Sequence, residues 1–233
     1  MTDLPPASGP TMGRMVVQSV VWFIVLGLLL FLPSGRWGWW QAWMFLAVMA
    51  STNLAIGFWL ARHDPALLKE RMVTVGIAEV RPWDRLYMTV LLVGMHGWFG
   101  FMGWEGRRPS PWPVWVNLLG AAGIALCMLI AWRTLRVNSF AAATVKVQAD
   151  RAQTVISTGP YALVRHPMYA GALFWMFGMP LLIGTPWDLL GAVAVTGVIA
   201  VRALGEEKLL AADLPGYSDY MRKVRFRFVP GIW

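Results

Sequence analysis

The sequence predicts an all-α integral membrane protein with about six transmembrane helices, the last two forming a tight helical hairpin that precedes a cytoplasmic C-terminal cap. Of its 233 residues, 58% are hydrophobic and 14% are charged, and the mean hydropathy is +0.55. A soluble domain usually carries about 25% charged residues, so this chain has too little polar surface to cover a domain in water. Its apolar runs also approach the length of about 20 residues that crosses the hydrocarbon core of a bilayer.

The six predicted spans are apolar runs that are separated from one another by charged residues, glycine or proline. The first is longer than the apolar core of a signal peptide and no small-residue cleavage motif follows it, so we expect a retained helix. The fifth has only about 16 residues, which predicts a short or tilted helix. The short turn at 184–186 makes the last two spans a hairpin. The predicted spans are 15–32, 37–60, 86–104, 114–132, 168–183 and 187–203.

The distribution of positive charge predicts the orientation. With six spans, 17 of the 20 Lys and Arg residues fall on the side that holds both termini, and Arg36, Arg107 and Arg108 fall on the other. Because Lys and Arg concentrate in cytoplasmic loops, both termini are predicted to be cytoplasmic. The net charge of +8 then reflects topology and attraction to anionic lipids, and we expect no nucleic-acid partner. Tryptophans at the span ends predict an interfacial belt: Trp37, Trp39, Trp40, Trp104, Trp112, Trp115 and Trp187.

Several classes of site are disfavoured by what the sequence lacks. Cys127 is the single cysteine and lies in an apolar run, so the chain can form neither an internal disulfide nor a Cys-x-x-Cys metal site. No metal site is predicted. The spans carry no series of Asp, Glu or Arg residues, which a proton pump or an ion-coupled carrier would need.

Polar residues instead collect where the fifth span begins. Gly159 and Pro160 predict a turn. Pro167 suits the first position of a helix, which places Arg165 and His166 just before it. Both side chains should therefore lie near the positive end of the helix dipole.

A second charged cluster lies where the sixth span ends. Arg202 and Glu206 are four residues apart and share a helix face, whereas Glu207 points about 100° away. The hairpin should bring this cluster beside Arg165 and His166. The alternative is that these charges only reach from a helix end towards the membrane surface.

The ordered motifs of the last third resemble the isoprenylcysteine carboxyl methyltransferase and phospholipid methyltransferase superfamily. They are Gly-Pro-Tyr-x-x-x-Arg-His-Pro-x-Tyr-x-Gly at 159–171, Glu-Glu at 206–207, Gly-Tyr-x-x-Tyr at 216–220 and Arg-x-x-Pro at 227–230. With the similar lead-in at 138–140, the resemblance covers about 136–233. It implies methyl transfer from S-adenosyl-L-methionine at the cytoplasmic membrane face to a lipidic or amphiphilic small molecule.

The resemblance also implies the site. Residues 153–156 would contact the nucleoside, Glu206 would hold the amino end of the cofactor, and Arg165 or His166 would suit its carboxylate. Gln153 stands where the family has a histidine. The residues implied in cofactor binding are Gln153, Thr154, Val155, Ile156, Tyr161, Arg165, His166, Pro167, Met168, Tyr169, Glu206 and Glu207.

Three residues are expected to be catalytic: Arg202, His166 and Glu206. Arg202 would face the methyl acceptor and pair with its carboxylate if it has one. A carboxylate is already ionised at pH 7 and needs no general base, whereas an amine or a thiol needs one or a lowered pKa. The sequence offers few candidate bases, which favours a carboxylate acceptor of the isoprenylcysteine type.

These expectations divide the chain into a flexible cytoplasmic tail (1–14), four membrane helices (15–132) and a methyltransferase core (133–233). The alternatives are a phospholipid N-methyltransferase, a small thiol or amine methyltransferase, and a non-catalytic membrane protein on the same scaffold. The bilayer and the amphiphilic acceptor are the predicted partners, and the sequence predicts no oligomeric state.

Overall fold

The computed structural model describes residues 12–72, 82–142, 145 and 147–233, which contain α-helices, short 3-10 turns and no β-strand. The predicted tail lies outside this part of the chain, except for 12–14, which begin the first helix. The α-helices of the described residues are α1 (Met12–Ser34), α2 (Trp40–His63), α3 (Pro65–Met72), α4 (Pro82–Glu105), α5 (Val114–Val137), α6 (Pro167–Ile183), α7 (Asp188–Asp213) and α8 (Tyr217–Lys223).

Five of these helices, α1, α2, α4, α5 and α7, are long and apolar enough to cross a membrane. Helix α6 is also apolar but has 17 residues, in keeping with the short fifth span. It ends because Gly184 adopts a φ of +87°, the left-handed conformation that closes helices. Since α7 begins at Asp188, the predicted tight hairpin is present. Helix α7 continues to Asp213, well beyond the predicted end at 203, so both glutamates of the charged cluster are helical.

Glycines allow helices α5 and α6 to pack backbone against backbone. A Cβ added to Gly178 on α6 would lie 2.7 Å from the carbonyl oxygen of Gly120 on α5, and one added to Gly123 would lie 3.1 Å from the carbonyl oxygen of Phe174. Small residues are the usual means by which membrane helices approach this closely. The α5–α6 pair therefore fixes the position of the α6 N-terminus, where the polar residues collect.

Replacing Gly178 with alanine is expected to separate α5 from α6 and to lower the free energy of unfolding by about 1–3 kcal/mol. Thermal unfolding of the purified protein in detergent measures the loss. Gly97→Ala on α4 is the matched control, because no atom lies within 4 Å of its added Cβ. Unfolding of both variants at the wild-type temperature would contradict the close approach.

The predicted tryptophan belt is wrong for Trp39. This side chain is 2% exposed, packs over Gly106 and donates its indole N–H to the carbonyl oxygen of Ile183, with 3.3 Å between the heavy atoms. Its polar atom is thus satisfied inside the protein, and no interfacial position is needed. Trp112 is half-buried, and the other predicted belt residues are exposed: Trp37, Trp40, Trp104, Trp115 and Trp187.

Candidate functional site

The C-terminal segment is tied to the start of α6 by backbone hydrogen bonds. The amide of Arg165 donates to the carbonyl oxygen of Phe226 at 2.9 Å, and the amide of His166 donates to that of Arg227 at 3.0 Å. Pro167, which has no N–H, then begins the helix as predicted. The tail thereby becomes part of the site, although it is distant in sequence.

Glu207 is buried among three basic side chains and is 4% exposed. Its Oε1 accepts from Arg165 Nε at 2.6 Å and from His166 Nε2 at 3.1 Å, and its Oε2 accepts from Arg227 Nε at 3.0 Å. Because a carboxylate only accepts, His166 carries a proton on Nε2 in this contact. This cluster joins α6, α7 and the tail.

Glu206, one residue earlier, faces a different environment. Its Oε2 accepts from the hydroxyl of Tyr169 at 2.7 Å and lies 3.9 Å from His166 Nδ1. Its side chain is 25% exposed, and its Oε1 makes no hydrogen bond to the described residues. The step of about 100° between neighbouring helical residues thus gives adjacent glutamates different surroundings.

Glu206 opens into a cavity of about 400 Å³, which we call the polar cavity. It is bounded by α3, α4, α6, α7 and α8 and by the chain between α5 and α6. All the residues predicted for the site line it except Glu207: Gln153, Thr154, Val155, Ile156, Tyr161, Arg165, His166, Pro167, Met168, Tyr169, Arg202 and Glu206. The predicted convergence of the two charged clusters is therefore present.

Two of the predicted residues are largely engaged within the protein. Besides Glu207, the guanidinium of Arg165 donates to the carbonyl oxygens of Val224 and Arg225 at 2.9 and 2.8 Å. The side-chain oxygen of Gln153 accepts a hydrogen bond from the backbone amide of Gln148 at 2.8 Å, which closes the loop at 148–153. These contacts indicate that both side chains hold the cavity wall in place.

Arg202 has a buried acidic partner that the sequence analysis missed. Asp84, in the first turn of α4, is 0% exposed, and its Oδ1 lies 3.3 Å from Arg202 Nη2. The guanidinium of Arg202 also lies over the ring of Tyr87, 4.7 Å from its centroid. Asp84 accepts from the amide of Val145 with its other oxygen, at 3.0 Å. No local sequence pattern indicates that Asp84 forms this ion pair, because its partner Arg202 lies far along the chain.

Tyrosines form another part of the wall. Tyr161 accepts from the side-chain amide of Asn138 at 2.6 Å, and burial raises the pKa of Tyr161 to about 12. Tyr217 and Tyr220 pack with Val155 and Leu214, and burial raises the pKa of both phenols. All three phenols are therefore neutral near pH 7. Except for their place in the Gly-Tyr-x-x-Tyr motif, no signal singled out Tyr217 and Tyr220.

The fold and the site together define a helical, multi-pass membrane protein with a polar cavity at one end of its bundle. Residues 115–213 match the family described as phospholipid methyltransferase, which belongs to the same superfamily as the isoprenylcysteine carboxyl methyltransferases. The predicted resemblance is confirmed. The match runs from α5 to the end of α7 and leaves out the tail at 216–230.

One curated relative is the cobalt-zinc-cadmium resistance protein CzcN of Cupriavidus metallidurans. It is 26% identical over 147 residues, which cover 60% of this chain and 58% of the relative. The aligned part thus spans a little over half of the relative's length. Among the described residues of this chain, no group of three or more His, Cys, Asp or Glu residues could hold a metal ion.

Proposed function

We propose that the chain is an S-adenosyl-L-methionine-dependent methyltransferase that acts on a carboxylate of a lipidic, isoprenylcysteine-like acceptor. The observation that carries the proposal is the polar cavity, where residues from four separate stretches of sequence (71, 87–91, 138–172 and 199–220) surround a partly exposed carboxylate, that of Glu206. Its volume of about 400 Å³ is in the range of small-molecule sites. The family match supports methyl transfer in general.

The lining of the polar cavity fits the chemical groups of this cofactor. Glu206, with one oxygen bound to Tyr169, suits the ammonium group. The stacked rings of His166 and Tyr169, with centroids 5.3 Å apart, suit a positively charged sulfur. Val155 and Tyr217 offer an apolar surface to the adenosine. In this proposal Glu206 binds the ammonium group of the cofactor, and His166 lies beside the sulfur that carries the reacting methyl group.

When bound, the cofactor supplies an electrophilic methyl group. The residues of the chain then have to orient the two reactants and exclude water. A carboxylate acceptor requires no proton transfer, so His166 Nε2 can stay bonded to Glu207 throughout. Glu207 and Arg165 act as positioning residues, since their contacts hold His166 and the tail against α7.

We place the polar cavity at the cytoplasmic face of the membrane with both termini on that side, because most Lys and Arg residues fall there. The proposal includes the bilayer as the environment of the acceptor and no nucleic-acid partner. The second candidate is methylation of the amine of a phospholipid, which the description of the matching family favours.

The test is methyl transfer by the purified protein in detergent. Tritium-labelled S-adenosyl-L-methionine is supplied with N-acetyl-S-farnesylcysteine or with phosphatidylethanolamine. We expect label in the farnesylcysteine that alkali releases as methanol, because a methyl ester is hydrolysed by base. Alkali-stable label in the phospholipid would support the second candidate instead. A protein that neither binds the cofactor nor transfers label would contradict both and leave the non-catalytic alternative.

A further inference from the structure

The buried acid beside Arg202 comes from a part of the chain outside the region that matches the family. Asp84, in the first turn of α4, is 0% exposed and is not among the residues that line the polar cavity, whereas Arg202 does line it. The two side chains approach to 3.3 Å, and the other oxygen of Asp84 accepts from the amide of Val145 in the cavity wall. The charge of Asp84 therefore lies directly behind the wall and next to the guanidinium of Arg202.

The acidic residues around the polar cavity differ in which positive group each one compensates. Glu207 is buried against Arg165. Glu206 acts electrostatically on Arg202, but the proposed function assigns its carboxylate to the ammonium group of the cofactor. Asp84 is fully buried and does not border the cavity, so a ligand that enters the cavity does not displace it. The ion pair between Asp84 and Arg202 should therefore persist when the cofactor is bound.

A persistent ion pair changes how Arg202 attracts an anion. A guanidinium has several N–H donors in a fixed plane, so one carboxylate does not exhaust its capacity to donate. An acceptor carboxylate that reaches Arg202 from the polar cavity shares the guanidinium with Asp84, and the like charge of Asp84 offsets part of the attraction. The acceptor should thus bind more weakly than it would to the same guanidinium without Asp84.

The charge of the acceptor also changes during the proposed reaction. An oxygen of the acceptor carboxylate donates an electron pair to the methyl carbon, and the bond between that carbon and sulfur breaks with its electron pair left on sulfur. The products are a neutral methyl ester and a neutral thioether. Arg202 then loses its attraction to the ester but keeps Asp84 as a counter-charge, so the departure of the product leaves no buried cation without a partner.

We infer that Asp84 is a positioning residue that weakens the binding of an acceptor carboxylate by Arg202, so that the anionic acceptor binds reversibly and the neutral ester is released. The inference rests on the proposed function and deepens it, because it names the residue that sets the affinity for the acceptor. Asp84 acts through Arg202 and contacts neither reactant.

The test is equilibrium binding of radiolabelled N-acetyl-S-farnesylcysteine and of its primary amide, without cofactor. These ligands differ in the charge of the head. We expect Asp84→Asn to bind the carboxylate on the order of tenfold more tightly than the wild type, with the affinity for the amide little changed. A merely structural role of Asp84 would weaken the binding of both ligands. Asp219→Asn is the matched control, because Asp219 pairs with Arg222 at the surface and lines no part of the polar cavity.

Thermal unfolding in detergent establishes that each variant is folded. If Asp84→Asn is folded and binds the carboxylate no more tightly than the wild type, or if the wild type binds neither ligand, the inference is wrong. If Asp84→Asn unfolds, Arg202→Gln is compared at pH 8 with the double variant Asp84→Asn/Arg202→Gln. The single variant keeps the buried carboxylate and should bind the anionic ligand more weakly, and equal affinities would overturn the inference.

A parallel measurement of S-adenosyl-L-methionine affinity separates this inference from the proposed function. If Asp84→Asn tightens the binding of the carboxylate but the wild type does not bind the cofactor, the proposed function fails and the role of Asp84 in anion affinity stands. If the wild type binds the cofactor and transfers methyl groups to the carboxylate, but Asp84→Asn does not tighten its binding, the proposed function stands and the inference fails.

Discussion

Replacement of Glu207 with glutamine should lower the free energy of unfolding by about 3–5 kcal/mol, the largest effect on stability that we expect. The carboxylate is 4% exposed and compensates Arg165, which is 5% exposed, together with His166 and Arg227. Removing its charge leaves basic groups buried without their counter-charge, and the cost of that desolvation is not recovered elsewhere. Thermal unfolding in detergent should occur at a temperature lower by roughly 10 °C.

Glu206→Gln is the matched control for this prediction, because it makes the same chemical change one residue away. The Glu206 side chain is 25% exposed and accepts one hydrogen bond from Tyr169, so its replacement should change the unfolding temperature little. Limited proteolysis adds a second readout, since loss of the Glu207 contacts should loosen the tail after α8. Equal unfolding temperatures for the two variants would show that the buried cluster does not hold the tail.

The largest effect on activity is expected for the same Glu206→Gln variant. If this carboxylate receives the ammonium group of S-adenosyl-L-methionine, losing its charge removes a charge-assisted hydrogen bond. A hydrogen bond to a charged group is worth about 1.5–3 kcal/mol, so the affinity for the cofactor should fall on the order of 10- to 100-fold. Equilibrium binding of the labelled cofactor measures the fall directly.

Asp219→Asn provides the control for cofactor binding. Asp219 is an exposed carboxylate on α8, pairs with Arg222 and does not line the polar cavity. It should bind the cofactor as the wild type does and transfer methyl groups at the same rate. If Glu206→Gln also keeps wild-type affinity while remaining folded, the cofactor is held by other groups, and the role proposed for Glu206 is wrong.

The amino-acid sequence alone determined the membrane class, the order of the apolar helices and the convergence of the two charged clusters, whereas the other residues of the polar cavity were implied by the family resemblance. These features follow from local signals: apolar runs of spanning length, the breakers at 184–186 that make a hairpin, and Pro167 at a helix start. A hairpin that reverses the chain necessarily returns the end of α7 to the start of α6. For that reason His166 and Glu206 could be placed together before any coordinates were known.

Only the tertiary structure decided which partner each charge has. Asp84 and Arg202, like Glu207 and Arg227, pair across long stretches of chain, and no periodicity reports such contacts. The inward orientation of the Trp39 side chain likewise depends on how separate helices pack. The spacing of apolar and polar residues predicts which face of a helix is buried. Whether a charged side chain is buried, and with which partner, depends on the residues from other helices that pack against it.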